Sequence, residues 1–190
     1  MKFSNHYFNE EHEDEYEIDM KVTSETDDPY SYASINVGGE LESEILKFGQ
    51  TIPDDVIYDE DGFGREEDNH ITLLFGMHDD DDTNLKEQLK DVEPFEVELG
   101  DISFFEADGY RVMKIDVISE QLETLHDKLK INLENTQTFD EYTPHVTIAY
   151  VKSHYNDKEL DKQMFTGKTA TINEVHFQDK DRHPSTISLS

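Results

Sequence analysis

Two short stretches of the chain repeat the same pairing of a histidine with a threonine. His70 and Thr72 lie in residues 69–76, and His145 and Thr147 lie in residues 144–151, each pair being followed by apolar residues. Because side chains alternate along a strand, the histidine and the threonine of a pair share one face. An imidazole accepts or donates a proton near neutral pH, and a threonine hydroxyl can donate a hydrogen bond to a phosphoryl oxygen.

If the two pairs meet in one cleft, they predict phosphodiester chemistry. One histidine would activate a water molecule or a ribose hydroxyl for in-line attack at phosphorus, and the other would protonate the leaving oxygen. This scheme requires neither a metal ion nor a cofactor. A single His-x-Thr triplet is a weak signal, and two ordinary strands with incidental polar residues would also produce it. The matching apolar tails and the corresponding positions of the two copies favour the catalytic interpretation.

The elements that must position these residues alternate between strands and helices. We expect strands over 32–37, 70–75, 95–99, 102–105, 111–117, 145–151, 169–177 and 186–189, and helices over 40–49, 83–91, 119–131 and 156–164. Ser119 is the expected N-cap of the third helix. In each half a helix leads to one of the two similar strands, which indicates an internal duplication. We therefore predict an α+β fold, duplicated and bilobal, with mainly antiparallel sheets, flanking helices and a central cleft.

Composition limits the possible partners. The 190 residues include 46 Asp and Glu against 16 Lys and Arg, which gives a formal net charge of −30. Such a charge repels polyanions, so we expect no binding to long nucleic acid or to anionic membranes, whereas a small anionic ligand in one pocket is allowed. The chain has no Cys, which excludes disulfides, thiolate metal sites and cysteine nucleophiles.

Localisation and domain boundaries are read from the same composition. The sequence shows neither an apolar run of roughly 18 residues nor the apolar core of a signal peptide, so the expected compartment is the cytoplasm. Residues 1–30 form an acidic N-terminal extension, in which 16–22 is either an edge strand or part of a disordered tail. Residues 31–190 form the folded domain. His126 lies in polar surroundings and is expected at the surface.

The two His-x-Thr stretches, with Pro144 before the second, resemble the hallmark motifs of the 2H phosphoesterase superfamily. The resemblance covers residues 30–190 and implies that His70 and His145 form an acid–base pair. It also implies that Thr72 and Thr147 bind phosphate. The superfamily includes RNA 2′,3′-cyclic phosphodiesterases, which are also called 2′-5′ RNA ligases.

Within that superfamily, residues 94–100 and 142–151 look most like the phage anti-CBASS branch, which degrades cyclic oligonucleotide second messengers of bacterial defence. This likeness implies a viral protein acting in the host cytoplasm, with a carboxylate on the closing hairpin, for which Glu174 is the candidate. Tyr32 is the candidate to stack on a base, and the alternative is that it belongs to the core of the domain. The cations available to line the pocket are Arg65, Lys152, Lys168, Lys180 and Arg182.

Other functions are compatible with the same residues. The enzyme could process RNA ends that carry a 2′,3′-cyclic phosphate. The cleft could instead bind a cyclic nucleotide without cleaving it. In a third alternative, the acidic surface mimics nucleic acid and occupies a basic partner protein.

Overall fold

Eight strands, three α-helices and a short 3-10 helix (Asp54–Val56) lie in the described part of the chain, which in this computed structural model comprises residues 30–60, 62–136 and 141–190. The expected strand over 16–22 lies outside these residues, as does all of the acidic extension except Tyr30. The strands are β1 (Ser31–Ile35), β2 (Ile71–Met77), β3 (Phe95–Glu106), β4 (Tyr110–Ile118), β5 (His145–Lys152), β6 (Thr169–Ile172), β7 (Glu174–Gln178) and β8 (Pro184–Ser188), and the helices are α1 (Gly39–Thr51), α2 (Thr83–Leu89) and α3 (Glu120–Asn132).

The strands form two antiparallel four-stranded sheets. The first has the order β2-β1-β7-β8 and the second has the order β5-β4-β3-β6. β2 and β5, which carry the two motifs, lie at the edges of their sheets and contact one another. The predicted α+β class with mainly antiparallel sheets is therefore confirmed, and the two motif strands meet where the sheets meet.

The helix that leads to each motif strand packs on the other motif strand. α1 leads to β2 but contacts β5, where a Cβ atom added at Gly49 would lie 3.5 Å from the Ile148 side chain. α3 leads to β5 but contacts β2, where Nδ1 of His126 donates a hydrogen bond of 2.8 Å to the Leu73 carbonyl. The apolar faces of the two motif strands are thus covered crosswise by the helices.

Short segments pair with the outer edges of both motif strands. Residues 57–58 and 64–66 run along β5, where the Tyr150 amide donates to the Gly64 carbonyl at 2.7 Å. Residues 134–136 run along β2, where the Thr136 amide donates to the Gly76 carbonyl at 2.8 Å. Both segments satisfy backbone groups that an open sheet edge would leave exposed.

Two strand predictions are wrong in their boundaries. The strands expected over 95–99 and 102–105 form one strand, β3, in which the register against β4 shifts between Leu99 and Ile102. The bulge includes Gly100, where an added Cβ would lie 3.3 Å from the Asp116 Cβ. The strand expected over 169–177 divides at Asn173 into β6 and β7, which belong to different sheets. The chain crosses between the sheets at this residue.

The helix expected over 156–164 is absent, and this segment consists of turns and irregular residues. Asn156 Oδ1 accepts a hydrogen bond from the Lys158 amide at 3.3 Å, and Asp161 Oδ1 accepts one from the Gln163 amide at 3.2 Å. Such local side-chain bonds compete with helical backbone bonds and favour turns. The apolar spacing was therefore misleading here, because the asparagine and the aspartate determine the backbone.

The helix start at Ser119 is confirmed. Its hydroxyl accepts a hydrogen bond from the Leu122 amide at 3.3 Å, as an N-cap side chain does. None of the helices within the described ranges combines the length and the apolar character that a membrane-spanning helix requires.

We expect Gly76→Ala to destabilise the protein. Gly76 has φ +74°, and an added Cβ would lie 2.1 Å from the Thr136 carbonyl oxygen. Backbone strain and this clash together should lower the free energy of unfolding by about 2 kcal/mol or more, as measured by urea denaturation. Gly109→Ala is the matched control, because Gly109 has φ +85° with no atom near an added Cβ. An equal loss in both variants would show that the contact with residues 134–136 is unimportant.

Candidate active site

The two motif histidines are oriented in the same way. His70 Nδ1 lies 3.1 Å from the Asp68 carbonyl, and His145 Nδ1 lies 2.7 Å from the Thr143 carbonyl. Because a carbonyl oxygen only accepts hydrogen bonds, Nδ1 carries the proton in each neutral ring. Nε2 of each neutral imidazole is then the atom that can accept a proton.

Two hydrogen bonds cross between the motifs. Asn69, which is only 1% exposed, donates from Nδ2 to the Thr147 carbonyl at 2.8 Å. Tyr142 donates from its hydroxyl to the Thr72 carbonyl at 2.9 Å. The segment before each motif strand thus binds the backbone of the threonine in the other motif. These reciprocal bonds fix the two strands relative to each other.

A buried histidine supports one of these cross-links. The rings of His126 and Tyr142 are stacked with centroids 3.8 Å apart and planes at 1°. His126 is 5% exposed, so the expectation that it lies at the surface is wrong. Burial lowers the pKa of His126, and the neutral ring donates from Nδ1 to the Leu73 carbonyl. The polar sequence around His126 concealed a position on the buried face of α3.

A buried lysine lies beside the second motif, and sequence analysis did not identify it. Lys114 on β4 is directly opposite Thr147, and Asp116 is directly opposite His145. The Lys114 ammonium is 4% exposed, donates to Ser103 Oγ at 2.7 Å and forms an ion pair with Asp116. Opposed residues of antiparallel strands share a face, so this cluster adjoins the motif residues of β5.

The protonation of His145 depends on this environment. Burial lowers the pKa of the His145 imidazole, and the charges of Lys114 and His70 act in the same direction. The hydrogen bond to the Thr143 carbonyl and the Asp116 carboxylate oppose the change. Because β2 and β5 contact one another and the segment before each motif bonds to the other motif, the structure brings the predicted histidines to one place.

A row of polar side chains crosses the first sheet from the other motif. Ser34 on β1 is opposite Thr72, and His176 on β7 is opposite Ser34. Thr186 on β8 continues the row, with its hydroxyl 3.2 Å from His176 Nδ1. Sequence analysis did not assign Ser34 or His176 to the site, because the pairing of β7 with β1 cannot be read from the local pattern.

Glu174 and Tyr32 lie on the same face as this row. Glu174 precedes His176 by two residues on β7, and its Oε1 lies 3.6 Å from His176 Nε2. The centroids of the Tyr32 and His70 rings are 6.2 Å apart, and the Tyr32 hydroxyl donates a hydrogen bond to the Gln178 side chain. The geometry therefore places Tyr32 beside the first motif, and it places Glu174 on the same face of the sheet but two strands away.

Two of the predicted pocket cations have other surroundings. The guanidinium of Arg65 donates to the Gly49 carbonyl at 3.1 Å, at the C-terminal end of α1. Lys152 lies seven residues beyond His145 on β5, which is about 23 Å along a strand. Its ammonium donates to the Asp55 carbonyl at 2.8 Å. The structure does not bring these two residues to the histidine pair.

The other three predicted cations also differ in their surroundings. Two form ion pairs with acidic side chains: Lys168 with Glu44 and Lys180 with Asp80. Arg182, in the turn between β7 and β8, lies 6.0 Å above the centre of the Tyr32 ring. Arg182 is thus the member of this predicted set that the structure places beside Tyr32.

Comparisons with known proteins identify the family and support the fold. A family model described as the 2′-5′ RNA ligase superfamily matches residues 58–184, about two thirds of the chain. No curated protein gives a significant match. The fold is similar to E. coli LigT complexed with phosphate and with 3′-AMP, each at 14% identity and a TM-score of 0.55, over 85% of this chain and 95% of LigT. It is also similar to Kluyveromyces marxianus Usb1, at 10% identity and a TM-score of 0.50, over 85% of this chain and 98% of Usb1.

We expect the pH dependence of stability to depend on His126. The folded protein holds this ring neutral, whereas the unfolded chain protonates it near pH 6.5. Stability should therefore fall as the pH drops below about 6.5, because the unfolded state then binds the extra proton. His126→Asn, which retains a donor for the Leu73 carbonyl, should lose less stability between pH 7.5 and 5 in urea titrations. His154→Asn, at an exposed histidine, is the control, and an equal decline in both variants would contradict the prediction.

Proposed function

Because this chain belongs to the 2′-5′ RNA ligase superfamily, we propose that it is a metal-independent phosphodiesterase in which His70 and His145 form an acid–base pair. The observation that carries the proposal is the matched orientation of the two rings. Each is bound through Nδ1 to a backbone carbonyl, and the reciprocal bonds of Asn69 and Tyr142 hold their strands together. Two imidazoles whose Nε2 atoms serve one cleft can move protons on opposite sides of a phosphorus atom.

In the proposed reaction, Nε2 of one neutral histidine removes a proton from water or from a ribose hydroxyl. The resulting oxygen forms a bond to phosphorus while the bond to the leaving oxygen breaks. The other histidine, which starts protonated, donates its Nε2 proton to that leaving oxygen. The hydroxyls of Thr72 and Thr147 donate hydrogen bonds to the non-bridging oxygens, whose charge rises in the transition state. Exchange with solvent restores the initial protonation of both rings.

The proposed substrates are cyclic nucleotides or cyclic oligonucleotide second messengers, and the proposed role is viral counter-defence. The net charge of −30 opposes binding of a long nucleic acid, whereas a small cyclic ligand needs only the local cleft. The first sheet offers Tyr32 and Arg182 for stacking and charge, and it offers Glu174 and His176 for hydrogen bonds to a nucleotide.

Processing of RNA 2′,3′-cyclic phosphate ends is the second candidate function. It is favoured by the family match and by the similarity of the fold to LigT, a solved complex of which contains 3′-AMP. It uses the same histidine pair and the same threonines. The two candidates differ in how much of the first sheet contacts the substrate, because a terminal cyclic phosphate is smaller than a cyclic oligonucleotide.

We expect the purified protein to cleave a phosphodiester substrate in the presence of EDTA, as followed by chromatography. His70→Ala and His145→Ala should each reduce kcat by about 10²–10⁴-fold, because each removes one of the two proton-transfer groups. The wild-type rate should be bell-shaped in pH: it falls at low pH when the base is protonated, and at high pH when the acid has lost its proton.

His183→Ala is the matched control, because His183 is exposed and bonds to Asp179 in the β7–β8 turn. Loss of activity in EDTA that returns with a divalent cation would refute the metal-independent mechanism. Tight binding of a cyclic nucleotide that stays intact from pH 5 to 9 would show a binding protein rather than an enzyme.

We expect Glu174→Gln to separate the two candidate substrates. His176 lies two strands from Thr72, so its neighbour Glu174 is about 10 Å or more from the proposed phosphate site. At this distance it can contact the second nucleotide of a cyclic dinucleotide or trinucleotide, but not a 2′,3′-cyclic mononucleotide. The variant should lower kcat/KM about tenfold for the cyclic oligonucleotides and leave the mononucleotide rate unchanged. Glu159→Gln, at an exposed turn residue, is the control, and equal effects on both substrates would contradict this role.

A further inference from the structure

The duplication is symmetric in its histidines and threonines but not in the residues beside them. The residue opposite Thr72 in the first sheet is Ser34, which is neutral. The residue opposite Thr147 in the second sheet is Lys114, which carries a positive charge. Two chemically equivalent motifs therefore lie in different electrostatic environments.

The charge on Lys114 is buried and fixed in place. Among the described residues, Lys114 is the only Asp, Glu, Lys or Arg in the buried class. Its ammonium is bound by Ser103 and Asp116, and it lies 4.3 Å above the centre of the Phe105 ring. That ring meets the His145 ring edge to face at 5.0 Å. Burying a charge carries a large desolvation penalty before its partners compensate, so an apolar residue would serve a purely structural strand better.

We propose that Lys114 is a positioning residue that makes His145 the general base and leaves His70 as the general acid, an assignment that rests on the proposed function. An acid–base pair works while it holds one proton, and that proton can be on either ring. In identical environments the two arrangements would be equally populated. A fixed positive charge beside one ring disfavours the arrangement in which that ring is protonated.

The groups that face His145 support this direction. Among the described residues, the charged or titratable groups that act on it are Lys114 and Asp116 on β4 and His70 before β2. β3 contributes the uncharged Phe105 ring. Lys114 and His70 lower the pKa of His145 together with burial, and only Asp116 among these charges raises it. The Asp116 carboxylate is itself paired with the ammonium.

The assignment gives the reaction a direction. Nε2 of neutral His145 takes a proton from the attacking water, whose oxygen forms the new bond to phosphorus. Protonated His70 gives its Nε2 proton to the oxygen whose bond to phosphorus breaks. One water is consumed and one phosphodiester bond is cleaved, and the two rings exchange their protonation states.

Histidine NMR titrations test the action of Lys114 without turnover. In Lys114→Met the midpoint of the His145 titration should move to higher pH, because the positive charge is gone. In Asp116→Asn it should move to lower pH, because the opposing negative charge is gone while the ammonium stays. A merely structural disturbance would shift the His145 midpoints of both variants in the same direction.

Lys90→Met, at an exposed lysine near the end of α2, is the control for the loss of one charge. Unchanged or parallel midpoints in the two variants would overturn the proposal, and Lys114→Gln, which removes the charge but keeps a donor for Ser103, replaces Lys114→Met if that variant fails to fold.

Leaving-group dependence tests which histidine is the acid. A p-nitrophenyl nucleotide phosphodiester releases a phenolate, which can leave with little protonation. The alkoxide released from an alkyl phosphodiester must be protonated by the general acid as it leaves. For His70→Ala, the fold-reduction in activity relative to the wild type should be at least ten times smaller on the p-nitrophenyl ester than on the alkyl ester. His145→Ala should lose about equally on both, because the base is needed in either case. The reverse pattern would overturn the assignment.

The two measurements separate this inference from the proposed function. If the wild-type protein cleaves neither these esters nor the cyclic nucleotides, the proposed function fails and the assignment of acid and base fails with it. The NMR comparison would still decide whether Lys114 controls the protonation of His145. If both esters are cleaved and the two variants show no opposite shifts, the function stands and the role of Lys114 is refuted.

Discussion

Two side-chain hydrogen bonds between the halves of the molecule determine where the candidate catalytic groups lie. Asn69 binds the Thr147 carbonyl and Tyr142 binds the Thr72 carbonyl, so each motif holds the backbone of the other. Breaking either bond would leave a polar group unsatisfied in a poorly solvated interface, which makes sliding of one strand past the other unfavourable. Proton transfer at two sides of one phosphorus atom requires such a fixed separation. Without this fixed separation, the matched orientation of the two histidine rings would not suffice for proton transfer on both sides of the phosphorus atom.

The distribution of charge gives the cleft a character different from that of the rest of the protein. The surface is strongly acidic, whereas the cleft contains a buried ammonium beside one motif and a guanidinium above Tyr32 near the other. Long polyanions meet repulsion before they reach these cations, and a small ligand can be bound by local contacts. Selection by size can therefore follow from electrostatics as well as from the shape of the site.

The sequence was informative where the chemistry is local and silent where it depends on pairing. His70, Thr72 and their counterparts could be identified because alternation along one strand suffices to align them. Lys114 and His176 could not, since each joins the site through a neighbouring strand whose position no local pattern reveals. The failed helix over 156–164 has another cause, because Asn156 and Asp161 form side-chain bonds that override apolar spacing. Fold class and the central motif were thus predictable, and the surroundings that distinguish the two histidines were not.

The first sheet is completed by the last part of the chain. β1 lies between β2, which follows it closely, and β7, which nearly the whole chain separates from it. During synthesis the first motif therefore emerges long before the strands that complete its sheet, and long-range pairing of this kind forms slowly. A ribosome-bound chain lacking its C-terminal hairpin would contain both His-x-Thr motifs but only half of the first sheet. The face of the first motif therefore gains its neighbours on β7, Glu174 and His176, only after residues far along the chain have been synthesised.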